Sequence, residues 1–116
     1  MNGELSFFEL GVGDIGRARD FYGGLFGWEF VEEGNGATIE TPNIPGGIHP
    51  GDEGASPYVF FRVDDLDAAV ARVRELGGEV GDSVGGEDQD TAERFGRFVL
   101  CKDDQGSSFG LHEPPR

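Results

Sequence analysis

The chain carries one architectural pattern twice. "FFELGVGDIGRARDFYGGLFGWEF", from Phe7 to Phe30, and "YVFFRVDDLDAAVARVRELGGEV", from Tyr58 to Val80, align with a shift of 51 positions. Val12 then falls on Val63, Asp14 on Asp65, Ile15 on Leu66, Ala18 on Ala69, Leu25 on Leu76 and Gly27 on Gly78. Few residues are identical, but the order of chemical types is the same: a dense apolar run, an acidic residue, an amphipathic segment, a glycine and a new apolar run. Such a pattern predicts two copies of one supersecondary unit.

Each step has a physical cause. "FFELGV" and "VFFRV" are rich in aromatic and β-branched residues, as buried or half-buried strands require. Asp14 and Asp65 can accept bonds from the first free N–H groups of a following helix. Leu66, Ala69, Val70, Val73 and Leu76 fall on one helical stripe, with Asp67, Arg72, Arg74 and Glu75 on the polar side. Ile15, Ala18, Phe21, Tyr22 and Leu25 repeat that stripe in the first half. Gly77 and Gly78 supply a helix stop. Strand-like pieces follow each helix: "WEFVEE" and "ATIET" in the first half, "EVGDS", "RFVLCK" and "SSFGLHE" in the second. Turn-forming "EGNG", "PNIPGG" and "DDQG" separate them, and "GGEDQDTAE", 85–93, reads as an acidic surface loop.

Each half therefore reads as strand, helix and about three strands. At 116 residues the expectation is one domain, 1–116, with repeat halves 5–57 and 58–113. The fold class expected is α+β: two βαβββ modules forming a cupped, partly open mixed β-barrel, with a cleft lined by the inward residues of equivalent strands.

Charge narrows the partners. The net charge is −14, and Lys102 is the one lysine beside eight arginines. Phosphate backbones need clustered Lys and Arg, so neither nucleic acid nor an anionic membrane is expected as a partner. No apolar run is long enough to span a bilayer, and no signal peptide is expected at the start. Cys101 is the single cysteine and reads as an apolar filler in "FVLCK", consistent with a cytoplasmic location. "GVGDIG" lacks the phosphate-loop lysine and, although it spells G-x-G-x-x-G, does not read as a βαβ dinucleotide signal. Cys101 has no evident histidine partner in its sequence context, and hydrolase chemistry is not expected. His49, in "GGIHPG", reads as a loop histidine.

Taken together, "VGDIGRARDFYGGLFGWEF", "IPGGI", "FFRVDDLDAAVARVRELGGEV" and "GRFVLCKDDQGSSFGL" resemble the vicinal oxygen chelate superfamily. That group includes glyoxalase, bleomycin-resistance and fosfomycin-resistance proteins and extradiol dioxygenases. The resemblance covers nearly the whole chain. It implies the two-module fold but no one reaction, because the superfamily hosts isomerases, lyases, oxygenases and binding proteins.

The resemblance also implies metal-ligand positions on four strands. Carried onto this chain they are Phe7, Glu40, Tyr58 and Gly110, of which Glu40 alone bears a metal-binding side chain of the usual kind. Residues two apart on a strand share a face, so Glu9 can stand in for Phe7 and His112 for Gly110. Three readings follow. In the first, the protein binds a small apolar or aromatic molecule between its half-sheets without the usual metal, using Phe7, Tyr58 and Phe60 as apolar walls and Glu9 and His112 as polar contacts. In the second, Glu9, Glu40 and His112 hold a divalent metal such as Fe, Mn, Zn or Ni for a lyase, isomerase or dioxygenase reaction. In the third, the pocket is filled with side chains and the chain is a structural dimer. A homodimer is expected under all three.

Overall fold

A computed structural model gives the fold and describes residues 2–83 and 93–115. The expected acidic loop at 85–93 falls almost wholly outside the described residues. The chain divides into two compact units, Phe7–Tyr58 and a second made of Val59 onward together with the residues up to Ser6. The halves expected from sequence, 5–57 and 58–113, differ from these at their borders. Residues 5 and 6 go with the second unit because Gly3 N–H bonds the Arg62 carbonyl and Arg62 N–H bonds the Glu4 carbonyl.

The first unit contains most of β1 (Leu5–Val12), α1 (Ile15–Phe26), β2 (Glu29–Glu33), β3 (Gly36–Glu40) and β4 (Gly46–Pro50). Its strand order is β2-β3-β4-β1, antiparallel except for the parallel β1–β4 pair. Asp14 caps α1 by accepting from Arg17 N–H, and Gly27 closes it in the left-handed conformation at φ 76°. Ile39, Ile48, Ala37 and Ala18 form the buried centre, with Phe8, Leu10, Val12, Ile15, Tyr22, Trp28 and Phe30 packed around them. Each fully buried isoleucine is worth roughly 1.5–3 kcal/mol. The stripe expected on α1 is thus narrower than the sequence suggested: Phe21 and Leu25 are exposed.

The second unit contains β5 (Tyr58–Arg62, its first residue counted with the first unit), α2 (Leu66–Glu75), β6 (Glu79–Ser83), β7 (Arg97–Lys102) and β8 (Ser108–Glu113). Its order is β5-β8-β7-β6, with a parallel β5–β8 pair and antiparallel neighbours otherwise. Asp65 caps α2 through Ala68 N–H, and the buried Glu113 carboxylate takes the Leu66 N–H. Val63, Leu66, Val99, Cys101 and Leu111 are the core. Each unit is therefore the βαβββ module expected, and the fold is α+β. Among the described residues no helix is long and apolar enough to cross a membrane.

The sequence did not mark β4. "GGIHP" contains two glycines and reads as a turn, yet it pairs on both sides, with β1 and with β3. The glycines are there for space. A side chain at Gly46 would collide with the Phe8 ring, and one at Gly47 with the Glu9 carboxylate. Side-chain crowding from β1, rather than backbone freedom, sets those two residues.

Candidate functional site

Strand alternation decides which face Glu9 occupies. Phe8, Leu10 and Val12 pack toward α1, so Glu9 lies on the opposite face of β1. On β4, Ile48 is in the core, so Gly47 and His49 share the face of Glu9. Gly47 stands in register with Glu9 and leaves its carboxylate room. The carboxylate turns toward His49, and Glu9 Oε2 lies 2.7 Å from His49 Nδ1.

The turn after β4 completes the cluster. Gly51 takes a left-handed φ of 78°, and Asp52 N–H bonds the Val12 carbonyl at 3.3 Å. This lays the Asp52 side chain over Gly11, where a Cβ would stand 2.6 Å from Asp52 Oδ2. Asp52 Oδ2 is 3.0 Å from His49 Nε2 and accepts from the Tyr58 hydroxyl at 2.8 Å. Glu9, His49, Asp52 and Tyr58 thus form one hydrogen-bonded chain within the first unit.

Its electrostatics follow from its order. A carboxylate can only accept, so the form that satisfies both contacts of His49 is the doubly protonated imidazolium. Burial alone would lower the His49 pKa, but the bonds and charges of Glu9 and Asp52 together raise it above 6.5. Burial raises Glu9 above its ordinary value, and the His49 bond and charge only partly offset that. The Tyr58 bond, then the His49 bond, hold Asp52 low, and the same Asp52 bond raises Tyr58. The His49 side chain is 38% exposed and Glu9 19% exposed. The chain can therefore hold a proton at a solvent-reached imidazole and offer free carboxylate lone pairs to a ligand.

The residues anticipated from sequence divide. Glu9 and Tyr58 belong to this chain. Phe7 is buried at 8% exposure. Phe60 is 1% exposed, edge-on to Phe98 at 5.2 Å between centroids, with its ring in the space a Gly110 side chain would need. His112 is buried and uses both ring nitrogens: Nδ1 meets Ser6 Oγ and Nε2 meets the Phe95 carbonyl. Glu40 is exposed at the end of β3, opposite Glu29.

This donor set does not fit the divalent metal that the fold family implies. His112 has no ring nitrogen left for an ion, and His49 presents both of its own to carboxylates. Among the described residues no three His, Cys, Asp or Glu side chains group as a metal requires.

His49 and Asp52 were missed in the sequence, although both lie in "GGIHPGD". The available signal was the alternation Gly47, Ile48, His49, but two glycines and two prolines in the neighbourhood masked it as loop.

A model described as the Glyoxalase/Bleomycin resistance protein/Dioxygenase superfamily matches residues 4–111. A glyoxylase-like domain-containing protein of Didymella fabae is 33% identical over 93 residues, covering 68% of this chain and 72% of its own. Anthracycline biosynthesis protein DnrV of Streptomyces peucetius is 31% identical over 138 residues, covering 94% of this chain and 46% of its own. The present chain thus spans about half of that relative. Methylmalonyl-CoA epimerase from Mycobacterium tuberculosis superposes with a TM-score of 0.71 at 24% identity, covering 97% of this chain and 89% of that one. At that identity the likeness speaks for the fold alone.

Proposed function

This chain belongs to the glyoxalase, bleomycin-resistance protein and dioxygenase superfamily, and we propose that within it the protein binds a small hydroxylated aromatic molecule on the Glu9–His49–Asp52–Tyr58 chain. One observation carries the reading: a half-exposed imidazole held between two carboxylates, on the face of β1 and β4 that turns away from α1. The imidazole protons are committed to those carboxylates, so the groups left for a ligand are mainly acceptors: the remaining carboxylate lone pairs and the Tyr58 oxygen. A ligand that fits must donate, as a phenol or catechol does. The His49 and Tyr58 rings, 6.1 Å apart between centroids, offer flat surfaces beside those acceptors. The name of the Streptomyces peucetius relative agrees with this class, since anthracyclines are hydroxylated polycyclic aromatics.

The chemistry the residues support is binding and proton exchange. A ligand hydroxyl bonded to Glu9 could pass its proton to the carboxylate while His49 holds the charge in place. No step is assigned to a metal. A second copy of the chain and a cytoplasmic setting complete the reading.

The test is a titration of chelator-treated protein with a hydroxyanthraquinone and with its fully O-methylated ether, read by calorimetry and melting temperature. The hydroxylated compound should bind and raise the melting temperature, because a ligand held only by the native state stabilises it. The ether should not. Equal binding of both, or binding unchanged in Glu9→Gln and Asp52→Asn, would refute the assignment.

A further inference from the structure

A second constellation lies in the second unit and plays no part in the site above. Ser6 Oγ is 2.5 Å from His112 Nδ1, and His112 Nε2 is 2.7 Å from the Phe95 carbonyl oxygen. A carbonyl can only accept, so Nε2 carries the proton and Nδ1 presents its lone pair. The serine hydroxyl therefore donates to Nδ1. The ring is fixed in that orientation by stacking on Phe98, 4.3 Å between centroids and 4° from parallel. Serine, imidazole and a carbonyl that orients the imidazole form the nucleophile, base and orienting group of an acyl-transfer site.

Arg62 offers a hydrogen-bond donor beside this pair. It stands in register with His112 across the β5–β8 pair, and neighbours in register share a face. Its Nε is buried and has no hydrogen-bond partner among the described residues. The nearest carboxylate oxygens are those of Glu4 and Asp64, at 3.7 and 3.9 Å. A buried N–H without an acceptor is costly, and a developing oxyanion would satisfy it.

We propose that Ser6 is a nucleophile toward activated esters of small carboxylic acids, with His112 as general base and Arg62 Nε–H as oxyanion donor. Ser6 Oγ bonds the ester carbonyl carbon while its proton moves to His112 Nδ1. The carbonyl π pair moves onto oxygen, facing Arg62. Collapse of the adduct breaks the carbon–oxygen bond to the leaving group, which departs with the proton from Nδ1. Water then adds to the acyl-serine by the same route, releasing the acid and restoring Ser6. Burial lowers the His112 pKa, the Phe95 bond opposes and the Arg62 charge adds to the lowering, which favours the neutral imidazole whose Nδ1 can accept the proton.

The full chain is incubated with p-nitrophenyl acetate while p-nitrophenolate release is followed, and intact mass and peptide mapping locate the acetyl group. The proposal expects one acetyl group, on Ser6. Ser6→Ala should abolish it in a chain that still folds, and His112→Gln should slow acylation by about a hundredfold, the scale of general-base catalysis. Arg62→Lys should slow it while leaving the Ser6–His112 bond. Should the Ser6→Ala chain fail to fold, the map on the unmutated protein still decides. Acetyl found at His49 or Lys102 with Ser6 unmodified, or release undiminished in a folded Ser6→Ala chain, would overturn the assignment.

Discussion

Glu9 and His49 lie 40 positions apart in the chain, and their carboxylate and imidazole meet at 2.7 Å. The parallel β1–β4 pairing creates this contact, since it places Gly47 against Glu9 and carries His49 one alternation further along the same face. Asp52 holds the other nitrogen of the same ring at 3.0 Å. The imidazole is thus positioned by three separate segments, and its protonation reports on all of them.

Protonation of His49 should appear in the pH dependence of stability. Its pKa is higher folded than unfolded, so its stabilisation is complete below about 6.5 and fades as pH rises through the folded value. Glu9, also raised, acts in the same direction, because its carboxylate must ionise while partly buried. Asp52, held low, loses its contribution only as pH falls below about 3.8. The melting temperature of the natural chain minus that of His49→Gln should therefore be larger at pH 6 than at pH 8.5. A difference that is flat across that range would mean that His49 is not held by the two carboxylates.

Gly47 tests the geometry without replacing a charged residue. In Gly47→Ala the new methyl meets the Glu9 carboxylate and drives it from His49. Stability should fall by no more than about 1 kcal/mol, because the displaced atoms are the far end of a flexible side chain and the lost ion pair is partly exposed. The imidazole pKa, followed by NMR of its ring protons, should move down. An unshifted His49 resonance would show that Glu9 reaches it by another route.

Phe60 is a core residue, and its truncation should behave accordingly. Phe60→Ala removes a ring that is 1% exposed and packed on Phe98, so denaturant titration should show a loss of about 3–5 kcal/mol. Gly110→Ala should also destabilise, since its methyl would enter the same ring. A loss under about 1 kcal/mol for Phe60→Ala would instead place this ring at an open ligand wall.

Divalent metal should leave the protein unchanged. The His112 nitrogens are committed to Ser6 and Phe95, and His49 faces carboxylates on both sides. Protein purified without affinity metal should show no stoichiometric Fe, Mn, Zn or Ni by elemental analysis, and chelator should not shift its melting temperature. A stoichiometric ion lost together with stability would restore the metalloenzyme reading built on Glu9, Glu40 and His112.

Both modules, their helices and the caps at Asp14 and Asp65 were legible in the sequence, because each is encoded locally by short-range periodicity and a side chain three residues from its N–H partner. β4 was hidden because its glycines answer to the Phe8 and Glu9 side chains, some forty positions away, and not to a turn of their own. The same pairing took His49 from an expected loop to the centre of a hydrogen-bonded chain. Phe60 and His112 show the reverse. Alternation put them correctly on one face with Gly110, but neither ring packing on Phe98 nor the Ser6 and Phe95 bonds can be inferred from strand spacing. Local sequence therefore determined which elements form and where each helix starts. Tertiary structure decided which polar groups meet, because hydrogen-bond partners across parallel strands depend on register, and register is fixed only when both strands are buried together.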